Sequence, residues 1–134
     1  MSRQIFVNLP VHDLPRSRTF FEALGYSFNP QFSNDSGACM IISEHIYAML
    51  LTHDKFKGFT PLPVSDAHRQ SEVLICLSCD SRSHVDELVS KALQAGGTTF
   101  KPPDDHGFMY GHSFQDLDGH IWELVYMEPG PVQG

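Results

Sequence analysis

Residues 108–127 read FMYGHSFQDLDGHIWELVYM, and the middle of this stretch decides how it folds. Asp116-Leu117-Asp118-Gly119 is a turn signal, with aspartates to bond the local backbone and a glycine to take positive φ. It lies between two runs of strand-forming residues, Met109–Phe114 and Ile121–Met127, so the stretch reads as a β-hairpin. Glu123 stands between Trp122 and Leu124, a carboxylate inside an apolar strand. Two readings are open for it: a solvated sheet face, or the wall of a pocket.

Working outward, the same kinds of signal recur. Ile5–Val11 reads as a strand ended by Pro10. Asp13-Leu14-Pro15 is a helix start, with a carboxylate cap and proline in the first turn, and the helix should run from Leu14 to Leu24 and stop at Gly25. Tyr26–Phe28, Ala38–Ser43 and Ile46–His53 read as strands. Residues 54–71 lack periodicity and read as a connector. Glu72–Cys79 is again a strand, Arg82–Ala95 a helix stopped by Gly96-Gly97, and Thr98–Lys101 a short strand before a loop at residues 102–107. Strand, helix and three strands thus occur twice, a duplicated βαβββ unit. The predicted class is α+β: a single domain over residues 1–134, with a first module at about 3–53 and a second at about 72–128. Their eight strands should form a cupped mixed sheet with helices on its outer faces.

Side-chain alternation separates the two faces of that sheet. Val7 and Leu9, Ala48 and Leu50, Ile75 and Leu77, and Trp122 and Leu124 are apolar throughout and should meet the helices. The alternate set mixes polar and apolar residues, as a ligand cavity would: Phe6, Asn8, Tyr47, Met49, His53, Glu72, Leu74 and Glu123. On the hairpin, Tyr110 lies between glycines 107 and 111, as in a flap or stacking surface, and His112 is on the strand beside Glu123.

Composition narrows the partners. A net charge of −7 argues against nucleic acid or an anionic membrane, both of which call for a basic face. No segment approaches the roughly 20 apolar residues of a membrane span, and MSRQIFVNLP has no apolar signal core, so a cytoplasmic protein is expected. Cys76 and Cys79 have C-x-x-C spacing without a second pair. They read, with Cys39, as reduced thiols.

The stretches IFVNLPVHDL (5–14), NPQFS (29–33), MLLTHDKF (49–56), GFMYG (107–111) and DLDGHIWE (116–123) together resemble the vicinal oxygen chelate superfamily. That group holds glyoxalase I, bleomycin-resistance proteins and extradiol dioxygenases, and the resemblance is nearest to bacterial predicted lactoylglutathione lyases. In metal-dependent members, four ligands come from matching positions of the two modules. Carried onto this chain, those positions are Phe6, Met49 (or Leu50), Leu74 and Glu123. Phenylalanine and leucine offer no donor atom, and a thioether is soft, so no metal ligand set and no cofactor are expected there. A carboxyl walled by Phe6, Met49 and Leu74 suits a catalytic general base, or a partner for a ligand's amine or hydroxyl. The resemblance thus implies a metal-free small-molecule-binding protein of bleomycin-resistance type, commonly a homodimer. The alternative is a glyoxalase-like lyase or isomerase using Glu123, with a divalent metal held by a rearranged set drawn from His53, Glu72, Glu123 and His112.

Overall fold

A computed structural model describes residues 3–129. It divides into two compact units, one ending at Asp66 and the other beginning at Ala67. The predicted α+β class and tandem βαβββ order are both present, and hydrogen bonds group the eight strands into two mixed sheets of four.

In the first unit, β1 (Ile5–Val11), α1 (Leu14–Ala23), β2 (Ser27–Asn29), β3 (Gly37–Ile41) and β4 (Ile46–Thr52) follow in order. The sheet order is β1-β4-β3-β2, with β1 parallel to β4 and the other pairs antiparallel. β1 runs through Pro10 rather than ending there. It is the last strand in its sheet's order, a position that tolerates a residue without an N–H. Asp13 caps α1 by accepting the Arg16 amide at 3.1 Å. Leu14, Ser17, Phe20 and Phe21 line the buried stripe of the helix, and Leu9, Val11, Ala38, Met40, Ala48 and Leu50 are among the buried residues of the strands. Each fully buried Leu or Phe here contributes about 1.5–3 kcal/mol of transfer free energy. The residues read as a connector begin with a short helix, α2 (His53–Lys57). Thr52 caps it through the Lys55 amide at 3.3 Å, so His53 opens a helix instead of ending a strand.

The second unit contains β5 (Leu74–Ser78), α3 (Arg82–Gln94), β6 (Asp104–Asp105), β7 (Met109–Gln115) and β8 (Ile121–Met127), in sheet order β5-β8-β7-β6. Ser81 caps α3 by accepting the His84 amide at 3.0 Å. Val85, Leu88, Val89 and Ala92 of the helix are buried, as are Phe114, Trp122 and Leu124 of the strands that α3 packs over.

Two expectations are corrected here. The strand expected over Thr98–Lys101 reduces to a single bridge between Thr98 and Gln115. Pro102 and Pro103 have no N–H to continue a ladder, and pairing resumes as β6 inside what read as a loop. The strand expected from Glu72 starts at Leu74, whose parallel partner is Ile121. Ile121 is the first residue of β8, directly after the hairpin turn, so the chain at Glu72 has no strand to pair with; Glu72 is exposed.

The turn between β7 and β8 is built around Asp116. Its carboxylate accepts the Asp118 amide at 2.9 Å, the His120 amide at 3.0 Å and the indole N–H of Trp122 at 3.0 Å. Burial pushes the Asp116 carboxyl above its usual range, while His120, the indole and the Asp118 amide pull it back.

Candidate functional site

Glu123 sits near the middle of β8, a strand paired on both sides. Its register partners are Cys76 on β5 and Ser113 on β7. Directly paired residues project to the same face of a sheet, so the thiol, the carboxylate and the hydroxyl form one row. The next row along carries Ser78, Val125, Gly111 and Asp104. The face lies opposite the one α3 covers, since Phe114, Trp122 and Leu124 alternate with these residues.

A cavity of about 180 Å3 opens over this face, lined by Cys76, Met109, Ser113, Glu123 and Val125, with Lys101 and Asp104 at its wall. Glu123 is half-buried. Cys76 is exposed, and its thiol is pushed up by burial of the sulfur and then by the neighbouring Glu123 charge. It is therefore a neutral thiol near pH 7 rather than a nucleophile. Lys101 and Asp104 pair at 3.0 Å, which holds the Asp104 carboxyl below its ordinary range.

Other expected site residues of this unit lie apart from that row. Tyr110 alternates with Ser113 and so projects toward α3, where its hydroxyl donates to Asp86 at 2.5 Å. That bond pushes the phenol above its ordinary value. His112 borders the cavity but also alternates with Ser113, and its Nε2 donates to the Lys101 carbonyl at 2.9 Å. Leu74 is on the Glu123 face and 54% exposed.

In the first unit, Phe6 and Tyr47 are register partners, and so are Asn8 and Met49, which puts all four on one face. The rings of Phe6 and Tyr47 stack at 4.8 Å and 11°, and the Tyr47 hydroxyl donates to the Glu44 carbonyl at 2.8 Å. His53, on α2, meets His12 edge-on at 6.1 Å.

Of Phe6, Met49, Leu74 and Glu123, only the last offers a hard donor. Among the described residues, no three His, Cys, Asp or Glu side chains are grouped to hold an ion, which includes His53, Glu72, Glu123 and His112.

Sequence reasoning passed over Ser113, Lys101 and Asp104. The strand length between turn and Glu123 carried the signal for Ser113: a hairpin pairing Gln115 with Ile121 sets 113 opposite 123. Asp104 followed from no local signal, because its pairing is a tertiary choice.

Arg82, at the start of α3, ties down the loop between β6 and β7. Its guanidinium donates to Asp105 at 2.9 Å and to the Gly107 carbonyl at 2.7 Å and lies 5.1 Å over the Tyr110 ring. The Arg82 bond, and then the Gly107 amide, hold the Asp105 carboxyl below its ordinary range. A depressed carboxyl contributes its stabilisation above the unfolded value, about 3.9, and loses it as pH falls through the folded value. An NMR titration of the Gly107 amide, bonded to Asp105 at 3.0 Å, should therefore show a midpoint below about 3.9. In Arg82→Ala the midpoint should move up toward that value, and no movement would show that Arg82 does not hold the loop.

No helix among the described residues is long and apolar enough to cross a membrane. A family model for the bleomycin resistance protein-like N-terminal region matches residues 3–43. Comparison with curated proteins gave no match. Among solved structures, a hypothetical protein from S. aureus is 30% identical with a TM-score of 0.78, over 94% of this chain and 95% of that one. A glyoxalase/bleomycin resistance protein/dioxygenase family enzyme from Burkholderia phytofirmans PsJN shares the fold at 16% identity, with a TM-score of 0.76 and coverage of 94% and 99%. A genomically encoded fosfomycin resistance protein from Listeria monocytogenes does so at 18% identity, with a TM-score of 0.68 and coverage of 97% and 94%. With the duplicated βαβββ topology, these findings give the fold: the chain shares the glyoxalase/bleomycin resistance/dioxygenase fold, and its residues 3–43 match the bleomycin resistance protein-like N-terminal family.

Proposed function

We propose that this protein binds a small organic molecule without a metal ion, as a bleomycin-resistance type of binding protein, and that Glu123 is the polar contact at its site. One observation carries the reading. Of the four positions that would hold a metal, three are Phe6, Met49 and Leu74, and the remaining carboxylate lines a small cavity on an otherwise intact fold. A lyase of this type needs a Lewis acid to stabilise an enediolate, and the donor set gives such an ion too few ligands. The reading includes a homodimer in the cytoplasm. Phe6, Leu74, Phe108 and Met127 are exposed apolar side chains that a second copy would cover.

Elemental analysis tests it. The protein is purified without chelator and analysed again after incubation with nickel, zinc, manganese and iron(II). Metal well below one ion per chain is expected in every case. One tightly held ion per chain, lost in Glu123→Gln, would overturn the reading and direct attention to hemithioacetals and catechols as substrates. Sedimentation velocity checks the dimer.

A further inference from the structure

Glu123 and Ser113 share a defect. Among the described residues, no ion pair or hydrogen bond reaches the Glu123 carboxylate. Ser113 is 2% exposed, and its Oγ is buried without a hydrogen-bond partner. The two are register partners on adjacent strands, project to the same face and line the same cavity. A half-buried charge with no counter-charge and a buried hydroxyl with no partner each cost free energy. Native proteins leave few such groups, and one on a cavity wall has a natural partner in a ligand.

The charge balance of the cavity says which kind of ligand. Lys101 and Asp104 neutralise each other at its wall. Cys76 is neutral for the reasons given above. The charge left over is the single negative one on Glu123, and Met109 and Val125 supply apolar surface beside it. The geometry points to a ligand carrying a protonated amine on a small apolar body, with the ammonium placed between the Glu123 carboxylate and the Ser113 hydroxyl. This rests on the metal-free binding reading and narrows it to a ligand class.

An ammonium group has three donors and no acceptor. It makes a charge-assisted bond to Glu123 and a second bond to Ser113 Oγ, which accepts. A neutral alcohol can satisfy Ser113 but leaves the Glu123 charge uncompensated. A carboxylate would meet Glu123 with like charge. Size suits a small body: 180 Å3 is close to the roughly 150 Å3 of an engineered apolar cavity that binds benzene. That admits a single ring or a short chain.

Calorimetry on the full chain tests the inference with propylamine, benzylamine and phenethylamine. Each is set against its alcohol counterpart, and benzoate serves as the anionic comparison. At least one amine should bind at least about tenfold tighter than its alcohol, the fold-change expected of a hydrogen bond to a charged group, and benzoate should bind more weakly than either. Glu123→Gln should abolish the preference for each amine over its alcohol, and Ser113→Ala should weaken amine binding about three- to tenfold. The wild-type comparison stands even if a variant fails to fold. An alcohol or benzoate binding as tightly as its amine, or no amine binding at all, overturns this inference and leaves metal-free binding of another class in place. Stoichiometric metal in the elemental analysis is the separate result that removes the general reading.

Discussion

Asp116→Asn should destabilise the protein by about 2–4 kcal/mol, although the substitution keeps shape and removes only a charge. The reason is the geometry of the acceptors. One oxygen of Asp116 takes both the Asp118 and His120 amides, and the other takes the Trp122 indole N–H. Asparagine offers one carbonyl oxygen and one NH2 group. With the oxygen kept on the two amides, its NH2 faces the indole N–H, donor against donor, at a tryptophan only 1% exposed. Asp116→Ala strands all three donors and should cost about 3–5 kcal/mol. Trp122 is the only tryptophan in the chain, so its fluorescence in a urea titration follows this turn directly. An Asp116→Asn midpoint within about 0.5 kcal/mol of the parent would show that the turn does not depend on the carboxylate.

Gly119→Ala, three residues further on, should cost about 3–5 kcal/mol, combining backbone strain with overlap. Gly119 has φ +86°, and an added Cβ would stand 2.7 Å from the His68 nitrogen and 2.8 Å from the Ala67 carbonyl carbon. Both obstacles are backbone, which cannot swing aside as a side chain can. Gly107 provides the control. Its φ is +82°, but a Cβ there would meet nothing within 4 Å, so Gly107→Ala should lose only about 1 kcal/mol of backbone preference. Paired denaturation curves separate the two effects. Equal losses at both positions would mean that the approach of residues 67–68 gives way freely.

These two residues also mark what the sequence makes legible. Asp116 and Gly119 announce a turn through their own chemistry, and with that turn placed, β8 begins at Ile121 as expected. Asp13 and Pro15 likewise announce α1. Alternation put Phe6, Asn8, Tyr47 and Met49 on one face, because strands of seven residues leave little room for error in parity. β6 was not legible, since two aspartates are poor strand formers and pair only because Gly111 and Tyr110 lie alongside. That Tyr110 and His112 alternate with the row holding Glu123 was not legible for a related reason. Parity within a strand is local, but parity between strands depends on register, and register is settled by how many residues the turn consumes. The missing partner of the Ser113 hydroxyl was beyond reach altogether, because burial of one atom is a property of the packed molecule.

The pairing order of each sheet bears on how the chain comes into being at the ribosome. In both units the strand made last, β4 or β8, sits between the strand made first and the strand made just before it. β1 and β5 are therefore synthesised without a hydrogen-bonding neighbour and must wait for their partners across an intervening helix and two strands. Such non-local closure is slow compared with forming a helix or a hairpin. The first sheet can close once Thr52 has emerged, and the second only when Met127 has. At about 5–20 residues per second, the interval lasts several seconds, during which β5 is an open edge. A stop codon just before Ile121 would remove only the final part of the sequence, yet it would leave β5 and β7 with no strand to join them.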